Sequence, residues 1–245
     1  MIEKCFSFFD FDNTLYRGNS RYLILDFSEF LCAKHVISTS GLEQLKIVMN
    51  LFDNGQLDRY EFAVRMVRSY YQNLVGHPES EISGLVGSFW ENLPPGSWFP
   101  YTKTLLDYTN SCTTTILISG SPYEVLKEIT RQLDIKQLHA SKGSVLAGKY
   151  TGEVEKEMAT SQAKAQWMQA FALEVNFDPG TSFAFGDSES DFPLLQAVDP
   201  RNAFLVNLDD GSLERSKQKG WNLYRYNEDL LDDVRNRLAS THNHR

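Results

Sequence analysis

Cysteine is scarce in this chain, and basic residues are in the minority. Cys5, Cys32 and Cys112 are odd in number and share no CxxC-like spacing, which excludes a disulfide framework or a structural zinc site and fits a reducing compartment. Lysine and arginine total 24 against 32 acidic residues, a formal net charge of -8. Affinity for a nucleic-acid backbone depends on clustered cations, so no nucleic-acid partner is expected. No run approaches the ~20 apolar residues of a membrane span, and the N-terminus lacks the basic stretch, apolar core and cleavage site of a signal peptide. No membrane partner is therefore expected, and the cytoplasm is the expected location. Nothing in the pattern encodes an oligomeric state. What is present is a 245-residue chain with 42% apolar and 23% charged side chains, large enough to bury a core without staples.

The hydrophobic pattern divides the chain. Short apolar runs at Cys5 to Phe9, Thr114 to Ile118, Ser182 to Phe185 and Asn202 to Val206 read as buried strands, several of them ending in polar clusters. Helical segments follow or separate them at Pro122 to Leu133, Ser161 to Leu173 and Phe192 to Val198. Strands alternating with helices predict an α/β fold with a parallel sheet covered on both faces. His139 to Val154, punctuated by Gly143, Gly148 and Gly152, predicts a hairpin on the edge of that core.

Residues 19–93 have a different character. Four stripes at helical spacing occur there: Leu23, Phe27, Phe30 and Leu31; Leu42, Leu45, Val48, Met49 and Phe52; Phe62, Met66, Val67 and Tyr70; and Ile82, Leu85, Val86, Phe89 and Trp90. Asp58 with Glu61 predicts the start of the third helix. Gly18-Asn19-Ser20 and Pro94-Pro95-Gly96 bracket the block as linkers. The expected organisation is a core of residues 1–18 and 96–245 with a four-helix cap, residues 19–95, inserted after the first strand. Tyr70, Tyr71, Phe89 and Trp90 are expected in the bundle core rather than in a pocket. His242 and His244, without Cys or acidic neighbours, are not expected to bind metal.

Chemistry concentrates at the strand ends. In Asp10-Phe11-Asp12, residues two apart in an extended chain share a face, so both carboxylates address one site while Phe11 turns inward. An EF-hand loop is excluded, because Leu15 and Arg21 stand where it needs Gly and Glu. A second acidic cluster, Gly186-Asp187-Ser188-Glu189-Ser190-Asp191, follows another strand. In an open parallel sheet the carboxyl ends of the strands meet in one crevice, so these acids converge and need a cation. Oxygen donors without Cys or His favour Mg²⁺. Asp191, with Pro193 two positions on, also reads as a helix N-cap. Ser119-Gly120 ends the second strand, and Ser121-Pro122-Tyr123-Glu124 has the form of a capping box opening a helix, a natural phosphate seat. Lys164 falls one turn into its helix, where the dipole gives a cation little.

These motifs resemble the haloacid dehalogenase superfamily, in its subfamily IB branch of phosphoserine-phosphatase-like hydrolases, over nearly the whole chain. Asp10, Asp12 and Thr14 match its DxDx(T/V) signature, Ser119 its second motif, Lys164 its third-motif lysine, and Gly186, Asp187 and Asp191 its terminal GDxxxD. The resemblance implies a Rossmann-like core with a helical cap of the C1 type. It implies Mg²⁺-dependent hydrolysis of a small phosphomonoester, with Asp10 as nucleophile and Asp12 as general acid/base. The metal would be held by Asp10, the backbone carbonyl of Asp12 and Asp187, with Asp191 supporting it. Ser119, Gly120 and Lys164 would hold the phosphoryl group, and Asn19 and Arg65 are the implied substrate contacts in and beside the cap. Phosphoserine phosphatases of this branch carry Glu where this chain has Asn19 and Asn where it has Ser190, and Arg65 and Arg68 lie out of register with the family's cap arginine. The expected substrate is thus a phosphomonoester not restricted to phosphoserine. The alternatives on the same scaffold are phosphoserine phosphatase proper, a phosphotransferase or mutase, and a non-catalytic binder of phosphorylated ligands. A dehalogenase has no need of Asp12, and receiver-type phosphoacceptor domains are about half this length and lack a cap.

Overall fold

Phe6–Phe9 forms strand β1 because four consecutive apolar or small residues can be buried on both faces of a sheet, and all four are buried. Phe6 and Phe8 face one layer, with Phe171 edge-on to both. Phe9 faces the other and stacks on Phe185 at 4.3 Å. In the computed structural model, which describes residues 4–208, 210–224 and 230–242, β1 is the middle of a seven-stranded sheet. The other strands are β2 (Thr114–Pro122), β3 (Gln137–Leu146), β4 (Lys149–Lys156), β5 (Phe183–Gly186), β6 (Ala203–Val206) and β7 (Asn222–Tyr224). Their order is β4-β3-β2-β1-β5-β6-β7, parallel throughout except for the antiparallel edge strand β4.

Within residues 19–95 lie four helices: α1 (Leu23–Ala33), α2 (Thr39–Asp53), α3 (Arg59–Asn73) and α4 (Glu79–Glu91). Each coincides with one of the predicted stripes. Asp58 caps α3 as expected, accepting from the Glu61 amide at 2.8 Å. The two linkers lie side by side, since the amides of Arg17 and Gly18 both donate to the Ser97 carbonyl. The α3–α4 junction is bonded to the edge hairpin: Gly76 donates to Tyr150, Tyr150 to His77, and Glu79 to Gly148. The remaining helices are α5 (Thr102–Cys112), α6 (Tyr123–Gln132), α7 (Ser161–Glu174), α8 (Phe192–Leu195), α9 (Asp210–Ser216) and α10 (Leu230–His242). Among the described residues no helix is long and apolar enough to cross a membrane.

Three expectations need correction. The predicted hairpin is real but longer, and its first strand is also a member of the main sheet, paired in parallel with β2. The segment expected to run as a helix from Phe192 to Val198 is helical only to Leu195. The capping box at Ser121 is absent: Pro122 is the N-cap of α6, with no side-chain bond, because Ser121 and Glu124 both have tertiary partners. The short elements α5, α9, α10 and β7 had no counterpart in the sequence reading. His244 lies outside the described residues, as does the side chain of His242.

Candidate active site

The ends of β1, β2 and β5 and the start of α7 meet under α3. β1 delivers Asp10, whose amide donates to the Phe185 carbonyl of β5 at 3.0 Å. Phe11 turns away and stacks on Tyr16, edge-on to Trp90 and Trp98. Beyond β5, Gly186 is required by close packing, since a Cβ there would lie 2.4 Å from the Cβ of Asp191. Asp191 stands at the N-cap position of α8, as expected, but its side chain makes no cap bond there. It reaches back, and its Oδ2 accepts from the amides of Asp187 and Ser188 at 3.1 Å each, which leaves Oδ1 for another partner.

That partner is Lys164. Its Nζ donates to Asp191 Oδ1 at 2.6 Å and to Asp10 Oδ1 at 2.7 Å, and the three side chains are 2%, 0% and 9% exposed. Thr160 caps α7 by accepting from the Ala163 amide, which fixes the first turn and aims Lys164 at the strand ends. Burial alone would lower the ammonium, but Asp10 and Asp191 together hold it above its ordinary range. Burial, and then the Asp191 and Asp12 carboxylates, push Asp10 upward against the pull of Lys164. Burial followed by Asp191 and Asp10 raises Asp187 well above an ordinary carboxyl, with Arg59 and Lys164 opposing.

Asp10, Asp187 and Asp191 each present an oxygen within 4.8 Å of the others. One ammonium does not balance three carboxylates at this spacing, and burial followed by mutual repulsion keeps Asp10 and Asp187 raised. A hard divalent cation with all-oxygen ligands suits the donor set. The Asp12 side chain takes no part in this triad. It is held between two donors, the Leu23 amide at the start of α1 on Oδ1 and the Ser121 hydroxyl on Oδ2, both at 2.6 Å. Burial raises it from 3.8 to about 6, while those two hydrogen bonds pull the other way.

The β2–β3 register breaks between Ser119 and Pro122. Such an irregularity re-aims side chains, and here Gly120 and Ser121 turn into the cavity. Gly120 also lies against Ala159, whose Cβ would be 2.5 Å from any Cβ at this position. Ser119 is fully buried and accepts from the Ser121 amide at 3.1 Å; on this turn the serine that lines the cavity is Ser121, joined by Ser188 and Ser190 from beyond β5.

The cavity holds about 620 Å³ of empty space, part of it open to the exterior. Asp10, Asp12, Lys164, Asp187, Ser188 and Ser190 line it, and α1 and α3 add an apolar wall of Ile24, Phe62, Ala63, Met66 and Val67, with Tyr22 and Arg59. The Arg59 guanidinium carbon lies 5.4 Å from the Phe52 ring centroid.

Two expected contacts are elsewhere. Asn19 is exposed in the first linker and borders a separate pocket with Asp26 and Glu29. Arg65 is on the exposed side of α3, paired with Glu61 one turn back. The sequence singled out neither Tyr22 nor Arg59, and it read Ser121 as a helix cap beside the phosphate seat rather than as a partner of Asp12. The signal for Arg59 was its place on the stripe shared with Phe62, Met66 and Val67. Tyr70, Tyr71, Phe89 and Trp90 are buried, as expected, and none lines the cavity.

Comparison with known proteins gives a consistent picture. The family model for haloacid dehalogenase-like hydrolases matches residues 7–196. A probable phosphatase of Mycobacterium tuberculosis is 25% identical over 219 residues, covering 88% of this chain and 73% of that protein. Among solved structures, a protein of unknown function from Bordetella pertussis Tohama I superposes with a TM-score of 0.72 at 20% identity, covering 91% of this chain and 99% of that one. A probable phosphoserine phosphatase from Vibrio cholerae superposes with a TM-score of 0.67 at 16% identity, over 99% and 67% of the two chains.

Proposed function

The chain belongs to the haloacid dehalogenase-like hydrolase family, and from that premise we propose that it is a Mg²⁺-dependent phosphatase acting on a small phosphomonoester through a phospho-aspartyl intermediate on Asp10. The observation that carries this reading is the buried Asp10–Lys164–Asp191 ion pair with Asp12 two residues from the nucleophile in the same cavity. The name of the Mycobacterium tuberculosis relative agrees with it. The free thiols Cys5, Cys32 and Cys112 fit a cytoplasmic setting.

Asp10 and Asp187 would hold the metal together with the Asp12 backbone carbonyl, and Asp191 would fix the Asp187 loop through its two amide bonds. Bound there, Mg²⁺ would neutralise charge on the phosphoryl oxygens, as Lys164 does from the other side. The Asp10 carboxylate attacks phosphorus in line, forming an O–P bond while the ester P–O bond breaks. A carboxylate needs no base to become nucleophilic, only a cationic surround that lets an anion approach. The departing oxygen takes the proton of Asp12, whose value near 6 suits a group that must both give and recover a proton near neutrality. Asp12, now ionised, accepts a proton from the water that attacks phosphorus. The Asp10–phosphorus bond then breaks, inorganic phosphate leaves, and the Asp10 carboxylate is regenerated.

In this reading residues 19–95 act as a cap over the core of residues 1–18 and 96–245. The apolar wall from α1 and α3 keeps bulk water from the transferred group. Ser121 and Gly120 join Lys164 around the phosphoryl oxygens, with Ser119 bracing the turn that carries them.

The test is acid quenching during turnover of a phosphomonoester panel with Mg²⁺. The wild-type protein should gain one phosphoryl group at Asp10 by mass spectrometry. Asp10→Asn, nearly isosteric but a poor nucleophile, should keep its fold by circular dichroism and lose both label and turnover. Turnover in Asp10→Asn at a comparable rate would refute the assignment.

A further inference from the structure

The proposed function leaves open what the phosphate is attached to, and the apolar wall of the cavity addresses that question. Phe62, Ala63, Met66 and Val67 are all on α3, at spacings of three and four residues, so one helix face supplies them. Ile24 of α1 completes the surface, and each of the five is less than a tenth exposed while lining the cavity. Of the cavity's carboxylates, Asp10 is engaged by Lys164 and Asp12 by the Leu23 amide and the Ser121 hydroxyl, and Asp187 belongs to the acidic triad. Asn19, which stands where phosphoserine phosphatases of this branch carry Glu, borders the linker pocket instead. A substrate with its phosphoryl group beside Lys164 therefore projects its leaving group onto hydrocarbon.

We propose that this α1–α3 wall is a leaving-group subsite for apolar alcohols, so that the preferred substrates are alkyl or aryl phosphomonoesters rather than phosphorylated amino acids. The proposal rests on the phosphatase reading for its choice of reaction, but the subsite itself can be tested by binding alone. Arg59 sits at the edge of the wall and is the group that a substrate carboxylate would meet, so it defines the competing outcome.

Calorimetry of the wild-type protein with Mg²⁺ and n-alkylphosphonates from ethyl to hexyl keeps the anionic head constant and excludes hydrolysis. Burying one methylene gives about fourfold in affinity at ~0.8 kcal/mol, so Kd should fall roughly two- to fourfold per carbon until the wall is filled. The phosphonate analogue of phosphoserine should bind more weakly than butylphosphonate. Met66→Gln, close in shape but polar, should flatten the series while leaving the affinity for ethylphosphonate within about twofold. The wild-type series decides the matter if that variant fails to fold. A flat or inverted series, or tightest binding by the phosphoserine analogue, would overturn the proposal and assign recognition to Arg59. A rising series without turnover of the matching alkyl phosphates would keep the subsite and refute the phosphatase reading. Turnover with a flat series would do the reverse.

Discussion

Replacing Lys164 by Met tests the electrostatics of the site directly. The wild-type ammonium is 2% exposed and bonded to two carboxylates that are 9% and 0% exposed. Met fills most of the same volume, so packing is largely kept and the loss is charge. Removing one partner of a buried ion pair typically costs about 3–5 kcal/mol, because the remaining charge is left uncompensated. Here three carboxylates are left within 4.8 Å of one another. They can escape only by protonation, and Asp10 and Asp187 are already raised even with Lys164 in place. A carboxyl raised in the fold contributes stability below its unfolded value that is lost as pH rises through its folded value. The deficit of the variant should therefore widen with pH, from about 1–2 kcal/mol near pH 5 to about 3–5 kcal/mol near pH 8. Urea unfolding with a chelator present measures it, and saturating Mg²⁺ should restore part of the loss near pH 8, since a ligand that binds only the folded state stabilises it. A deficit below about 1 kcal/mol near pH 8, or one equal at both pH values, would refute the claim that Lys164 is the charge holding this cluster together.

Two further perturbations separate the roles of residues around the site. Ser121→Ala removes one of the two donors to Asp12 and should slow hydrolysis of an alkyl phosphate about 10–100-fold, while an aryl phosphate with a good leaving group, which needs little proton donation, slows far less. Equal loss on both substrates in steady-state assays would show that Ser121 serves only the phosphoryl group and not the proton transfer of Asp12. Glu124 accepts from the Tyr70 and Tyr71 hydroxyls at 3.0 and 3.1 Å, joining α3 to α6, and burial raises it from 4.5 to about 7. Its folded value exceeds its unfolded one, so its contribution is present below about pH 4.5 and lost as pH rises through about 7. Glu124→Gln removes the titration and should stabilise the protein near pH 8. The ceiling is about 3 kcal/mol from the size of the shift, reduced to ~1–2 kcal/mol because the residue is only half-buried. Parallel stability curves for the two proteins between about pH 5 and pH 8 would remove Glu124 as the titrating group.

The parts of this molecule legible in sequence are those where one short segment settles its own environment. Phe6–Phe9 followed by Asp10 is such a segment, because an apolar run can only be a buried strand and its end must reach the edge of the sheet. Helices α1 to α4 were legible for a similar reason: each carries an apolar stripe wide enough to fix the face it buries. Lys164 was different. Its helix position gives a cation little from the dipole, a hint that something else holds it there, but it was family register that singled it out among the other lysines.

Residue offset misled where the orientation of a helix decides. At ~100° per residue, Arg65 and Arg68 lie about 130° and 170° from the centre of the α3 face formed by Arg59, Phe62, Ala63, Met66 and Val67. No cap arginine at either position could reach the cavity unless α3 rotated. The stripe Phe62, Met66 and Val67 read as bundle core, and these residues are buried; the same face also closes over the acids, a dual use that periodicity does not reveal. Ser121 and Glu124 show the converse. Side chains three residues apart satisfy the local rule for a capping box, yet their best partners, Asp12 and the Tyr70–Tyr71 pair, are 109 and more than 50 residues away. A capping bond contributes about 1 kcal/mol, whereas hydrogen bonds to a buried carboxylate contribute about 1.5–3 kcal/mol and avoid leaving it unsatisfied. The tertiary partners win on that difference, and the helix start is left to Pro122, which has no amide hydrogen to satisfy.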